Sequence, residues 1–425
     1  MQVKLATGGA AMRAGEAGRP RATNSSSPQP FRWHRTAAIG FAILFALFTV
    51  AGWIDFIHKR ALLDFMSFWA AGRLTLDGTP ALAYDMIAHR KVQEAVLGSF
   101  QGNMPFPYPP AYLFIVAPFS IAPYVQALLL WIAATGALYL AAARTVIRGP
   151  YALAHPSVLL NALIGQNSFL TFGIFVLGAN RLRDRPFVAG LILGLLVIKP
   201  QLAVLLPVAV LASRRWPAIV GALLSASALL LLALLVFGPE SYAGFLRLVP
   251  VYSQWMAQSK WPWEEFASPF AFLRFFGVDQ AIALAIQAIL LAGAAMLTWA
   301  AWAGDWKEKV AILAASTLLV SPYLLTYDAL LLLVPLGIWL NEQRRPGSIV
   351  LVWFLCLLPI AHFLKLYDGP NTIPLASLLV LAFLWADRRL AVKSEPAETT
   401  AHPSFQAASL SSPGIGVGVS SASRT

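Results

Sequence analysis

One carboxylate stands out in the chain: Asp64, set in Ala61-Leu62-Leu63-Asp64-Phe65-Met66-Ser67-Phe68-Trp69. Apolar neighbours desolvate a carboxyl and raise its pKa, which suits a general base. The same position fits the N-cap of a short interfacial helix, and the two roles are compatible. A lone cation, Lys199, lies between Ile198 and Pro200 with short apolar runs on both sides. A lysine there is costly unless it serves an anion, and a lipid phosphate is the natural partner. Snorkelling to the headgroups is the competing reading.

Around Asp64 the pattern continues as Gly72-Arg73-Leu74-Thr75-Leu76-Asp77-Gly78-Thr79-Pro80. Asp77-Gly78 reads as a turn. Thr79 followed by Pro80 reads as N-cap and N1 of a second interfacial helix through about residue 97. Trp69 and Arg73 are four apart and share a helix face, with Trp69 also suited to anchoring at the interface. Farther along, residues 238–278 hold Tyr242, Tyr252, Trp255, Trp261, Trp263 and Phe266 beside Lys260, Glu264 and Glu265. Aromatic faces suit sugar rings and lipid tails, and they also build interfacial belts.

Other chemistries find little support. The six histidines show no ligand spacing, and the one cysteine, Cys356, sits inside an apolar run, so neither a zinc site nor an intramolecular disulfide is expected. The run Gly414-Ile415-Gly416-Val417-Gly418 follows no strand and opens no helix, so it is not a dinucleotide fingerprint.

The elements that must position these groups are membrane helices. Hydrophobic residues make up 58% of the 425 and charged ones only 12%, half of what a soluble domain carries. The apolar runs are continuous rather than alternating, which requires helices. A net charge of +12 could suggest nucleic acid. The basic residues instead form short clusters between apolar runs, as the positive-inside rule places them, so no nucleic-acid partner is expected. The first run, 37–57, would extend about 31 Å, enough to cross a bilayer and stay as an anchor.

The basic clusters Arg32/Arg35, Arg144/Arg148, Arg181/Arg183/Arg185, Arg214/Arg215, Lys307/Lys309, Arg344/Arg345 and Arg388/Arg389 set the topology. If all face the cytoplasm, each interval crosses twice, giving about twelve transmembrane helices. Residues 110–122 are left over as an interfacial or re-entrant piece. Residues 1–36 and 391–425 read as disordered cytoplasmic tails flanking a transmembrane domain over 37–390. The first outer loop is then 58–108 and a large outer loop 238–278. On this topology the turns Gly165-Gln166-Asn167 and Lys199-Pro200-Gln201, the stretch 321–328 and residues 365–372 reach the same outer face. Non-helical polar backbone at depth lines cavities, so an active site is expected there.

With these residues in view, the chain resembles the GT-C membrane glycosyltransferases of family 87, which use a polyprenyl-phosphate sugar, typically mannose. The likeness is carried by Asp64-Phe65-x-x-Phe68-Trp69-x-Ala71-Gly72-Arg73-Leu74 and Gly78-x-Pro80-x-x-Ala83-Tyr84-Asp85. It continues in Tyr108-Pro109-Pro110, Gly165-Gln166-Asn167, Lys199-Pro200-Gln201 and Ser321-Pro322-x-x-x-x-Tyr327-Asp328. Where some family members carry histidine in that last stretch, this chain has Tyr327-Asp328.

The resemblance implies an all-α GT-C fold, Asp64 as catalytic base, and inverting transfer at the outer or periplasmic face of the inner cell membrane. It implies a polyprenyl-phosphate donor held by Lys199, Arg73, Gln166, Asn167, Tyr108 and Gln201. Sugar or acceptor contacts fall to Trp69, Tyr84, Asp85, Tyr327 and Asp328, and the acceptor is a lipid or glycan. Membrane lipids surround the protein. No Asp-x-Asp pair is present, so neither metal nor cofactor is expected. The alternative is a transporter or flippase of lipid-linked sugars, since short broken helices and a mid-membrane lysine suit one too. Related halves, which a transporter should show, are not evident in the sequence.

Overall fold

A computed structural model describes residues 32–59, 63–100, 104–258, 262–303 and 305–394. Most of both expected tails lie outside these residues. Everything described is helix, turn or connecting segment, with no strand among the described residues and one isolated antiparallel bridge, Phe266 with Leu325. The chain divides into two units, 1–384 and 385–425. The described part of the second is the end of the last helix.

The helices, in chain order, are α1 (Arg32–Lys59), α2 (Phe65–Leu76), α3 (Met86–Leu97), α4 (Leu113–Val116), α5 (Tyr124–Ala143), α6 (Pro156–Ile164), α7 (Ser168–Arg181) and α8 (Pro186–Gly194). They continue with α9 (Leu206–Ser213), α10 (Trp216–Ala257), α11 (Pro269–Phe275), α12 (Gln280–Ala301), α13 (Trp306–Thr317), α14 (Leu333–Asn341), α15 (Pro346–Phe363) and α16 (Ile373–Ser394). Five segments are long and apolar enough to cross a bilayer: His34–Phe56, Tyr124–Ala143, Trp216–Trp255, Gln280–Ala301 and Pro346–Phe363. Leu47, Leu235 and Ile289 on three of them are exposed, as lipid-facing side chains are.

About twelve spans were expected, and the difference has a physical cause. Most of the remaining apolar runs fold as short helices enclosed by other helices: α7 and α13 are buried along most of their length. Composition reports that a run avoids water, not whether lipid or protein covers it. The stretch 110–122 is likewise a chain of short turns around α4, with Ala111, Tyr112 and Leu113 fully buried. Irregular backbone is tolerated because protein surrounds it. The long α10 breaks at Gly238 (φ 76°), with Pro239 next. Residues expected as loop from 238 onward are therefore helical to Ala257.

In the first outer segment one expected helix becomes two elements. Thr79 precedes a 3-10 turn, Pro80–Tyr84, and its hydroxyl donates to the Leu74 carbonyl instead of capping. Asp85 caps α3, accepting from the amides of Ile87 and Ala88 at 2.9 Å each. His89 ties α3 down: its ring bonds the Ser67 carbonyl (3.0 Å) and Gln93 (3.0 Å). Burial pushes that imidazole down to about 4, so it is neutral and structural. Elsewhere the packing depends on missing side chains. A Cβ at Gly190 of α8 would lie 2.1 Å from the Ala218 carbonyl of α10. This is the close approach that small residues allow between membrane helices.

Candidate active site

The site forms where α2, the α6–α7 turn, the turn after α8 and the segment before α14 meet. Asp64 occupies the N-cap position of α2 but makes no side-chain cap bond. Its Oδ2 instead accepts a 2.8 Å hydrogen bond from Gln166 Nε2. The two helix-cap groups are thus separated: Asp85 caps, and Asp64 does not. Asp64 is half-buried. Burial pushes its carboxyl up to about 6, against the opposing pull of the Gln166 bond.

Gln166 is held by the turn around it. Gly165 closes α6 with φ +72°, and a Cβ there would meet Phe65 Cβ at 2.6 Å and Leu128 Cδ1 at 2.7 Å. Trp131 Nε1 donates to the Gly165 carbonyl (3.0 Å). Gln166 Oε1 accepts from the Asn167 amide (3.0 Å) and from the Tyr108 hydroxyl (3.5 Å). The Ser168 amide, first in α7, is satisfied by Asn161 Oδ1 (2.8 Å), the kind of N-terminal capping that such a donor needs.

Lys199 sits between two 3-10 turns, Leu195–Ile198 and Pro200–Leu202. Its Nζ donates to Asp328 Oδ1 (2.5 Å) and Asn167 Oδ1 (3.1 Å), and it lies 4.8 Å from the centre of the Tyr327 ring. Lys199 and Asp328 are 2% and 1% exposed. Asp328 Oδ1 also accepts from Ser168 Oγ (2.9 Å), and its Oδ2 from the Leu325 amide (3.3 Å). A buried pair persists when such additional bonds satisfy it. Lys199 is therefore not a snorkelling lysine.

One polar network thus joins Asp64, Gln166, Asn167, Tyr108, Lys199 and Asp328, with Tyr327 against the ammonium. Tyr84 reaches it through its hydroxyl, which donates to the Tyr108 carbonyl (3.1 Å). Four expected site residues lie apart. Arg73 is exposed and paired with Asp77 (3.0 Å). Trp69 donates its indole N–H to the Ala122 carbonyl (3.0 Å). Asp85 caps α3. Gln201 follows Lys199 on the Pro200–Leu202 turn, half-buried, and no hydrogen bond joins it to the network among the described residues.

A residue named from sequence only as part of the aromatic stretch 238–278, and not as a site candidate, also belongs here. Glu265 ends a 3-10 turn, Trp263–Glu265, next to the Phe266–Leu325 bridge, and its carbonyl accepts from Thr326 Oγ1 (3.0 Å). Burial, then the charges of Asp64 and Glu264, push its carboxyl up to about 7. The available signal was two adjacent carboxylates among aromatics. Among the described residues no group of three His, Cys, Asp or Glu side chains could hold a metal ion.

The family model for glycosyltransferase family 87 matches residues 106–322, half of the chain. That span contains Tyr108, Gln166, Asn167, Lys199 and Glu265, while Asp64 and Asp328 flank it. No curated protein and no solved structure matches the chain.

Proposed function

The chain belongs to glycosyltransferase family 87, and on that premise we propose that it transfers mannose from a polyprenyl-phosphate donor to the hydroxyl of a lipid or glycan acceptor. The site works at the outer face of the cell membrane, and the anomeric carbon inverts. The observation that carries this reading is Asp64: a half-buried carboxylate, held by Gln166 and not spent on capping its helix. Asp64 takes the proton of the acceptor hydroxyl. The oxygen forms its bond to the anomeric carbon as the carbon–phosphate oxygen bond breaks. The electron pair leaves on the polyprenyl phosphate, which needs no proton, so one carboxylate suffices.

The donor phosphate is held on the Lys199 side of the network. The ammonium has one N–H beyond those given to Asn167 and Asp328. Tyr108, Gln166 and Asn167 border it, whereas Gln201 would have to turn in from the Pro200–Leu202 turn and Arg73 to leave Asp77. Tyr84, Tyr327 and Asp328 bound the sugar side, whereas Trp69 and Asp85 maintain the frame.

The test is turnover of labelled polyprenyl-phosphate mannose by detergent-purified protein with a panel of lipid acceptors. Asp64→Asn should fold normally, since the Asp64 side chain makes no cap bond and asparagine keeps its size and an oxygen for Gln166. Transfer should fall by about two to four orders of magnitude. Near-normal turnover in a folded Asp64→Asn protein would end the assignment of Asp64. Donor binding and movement across vesicles without any transfer would favour the flippase reading.

A further inference from the structure

At the opposite end of α7 from the active site lies a concave site. A cavity of about 230 Å³ is lined by Arg144 and Arg148 after α5, Asn180 of α7, Trp306 and Lys307 of α13, and Asn341 of α14. Asn180 is twelve residues along α7 from Ser168, about 18 Å at helical rise. The cavity is therefore separate from the Asp64–Lys199 network.

Its polar side is built, not incidental. Asn341 Oδ1 accepts from the Arg148 amide (3.3 Å) and its Nδ2 donates to the Val146 carbonyl (2.9 Å). Asn180 Nδ2 donates to Thr145 Oγ1 (2.7 Å). These bonds, from two different helices, pin the 144–148 turn that carries both arginines. None of Arg144, Arg148 and Lys307 forms an ion pair among the described residues. The one carboxylate on the rim, Glu342, is taken by Arg344. Trp306, which lines the cavity, has its indole N–H buried without a hydrogen-bond partner, a cost that burial of such a donor carries.

The positive-inside rule accounts for cations at this end of the helices. It does not account for three unpaired cations and an orphaned indole donor around one hollow. Size and lining then narrow the ligand. At about 230 Å³ the space takes a phosphate group with a few carbons beside it. The opposite wall is apolar, with Val310, Val334 and Ile338. We propose that this cavity binds the phosphodiester headgroup of an anionic phospholipid, with the start of its acyl chains against the apolar wall. Basic pockets between membrane helices bind lipid headgroups by this chemistry.

The test uses the full chain in phosphatidylcholine nanodiscs, titrated with phosphatidylglycerol. Melting temperature and lipid retained in native mass spectrometry are the readouts. Wild type should be stabilised and should retain the anionic lipid. Arg144→Gln/Arg148→Gln should bind it about tenfold or more weakly, the usual worth of charge-assisted bonds. Arg214→Gln/Arg215→Gln removes the same charge from another basic cluster and should leave retention unchanged. Equal loss in both double variants would reduce the effect to general surface charge and overturn the site. Competition by inorganic phosphate at the same concentrations would overturn the lipid as ligand. Should the arginine pair fail to fold, Lys307→Gln carries the same test, with the same readings of loss and retention.

Discussion

A carboxylate serves as a base only in its ionised form, so the role proposed for Asp64 ties the pH range of the reaction to that residue's environment. Burial pushes its carboxyl up to about 6, and the Gln166 bond opposes this by favouring the ionised form. Below about pH 6 the base is progressively protonated, so kcat/KM should fall as pH falls through that value. Removing the bond with Gln166→Leu should raise the pKa and move the acid limb to higher pH. A limb that stays in place would show that Gln166 does not stabilise the ionised carboxylate. Because Glu265 is pushed up to about 7, partly by Asp64, the limb belongs to both groups. Lys199 has a different dependence. With its ammonium and Asp328 both buried, Lys199→Ala leaves an uncompensated carboxylate and should cost about 3–5 kcal/mol. Thermal melting of Lys199→Ala, Asp328→Ala and the double variant checks this: the double should lose much less than the sum. Additive losses would mean that the pair does not act as a unit.

Short elements explain how this site tolerates so much polar backbone. The α6–α7 turn delivers Gln166 and Asn167 only because Gly165 accepts φ +72° and leaves room for Phe65 and Leu128. Gly165→Ala adds both strain and a clash, so about 1–3 kcal/mol of destabilisation is expected. Turnover should drop with it, because the displaced turn carries the partner of Asp64. Gly136 in the middle of α5 is the contrast: nothing lies within 4 Å of a Cβ there. Gly136→Ala should be neutral or stabilising by up to about 1 kcal/mol. Melting curves of the two variants in detergent compare them directly, and similar effects would mean that Gly165 is not a steric keystone.

For the whole molecule the testable quantity is which side of the membrane each segment faces. The proposed topology, drawn from the basic clusters, has α3 and residues 365–372 outside and the start of α15 inside. Lys91, Leu366 and Gly347 are exposed positions suited to single cysteines, and the native Cys356 is fully buried, so background reaction is low. Lys91→Cys and Leu366→Cys should react with an impermeant thiol reagent in intact cells, and Gly347→Cys only after permeabilisation. The reverse pattern would move the proposed site to the cytoplasm. It would equally move the cavity beside Arg144 and Arg148 to the outer leaflet.

Sequence alone was enough to establish an all-helical membrane protein, its family, and Asp64 as an unusual carboxylate. The first follows from composition and run length, the family from the resemblance of short motif blocks between Asp64 and Asp328, and the third from the residues adjoining Asp64, and each block or run is local. Tertiary structure decided the rest. Asp64 and Gln166 are 102 residues apart, and Lys199 and Asp328 are 129 apart. No periodicity encodes such pairings, because each depends on how several helices cross. The same holds for Glu265, whose role depends on the bridge between Phe266 and Leu325 that brings its segment to the site. The number of long spans was also a tertiary matter. A buried helix such as α13 and a lipid-facing one such as α12 are both apolar, and only packing shows which of them other helices enclose.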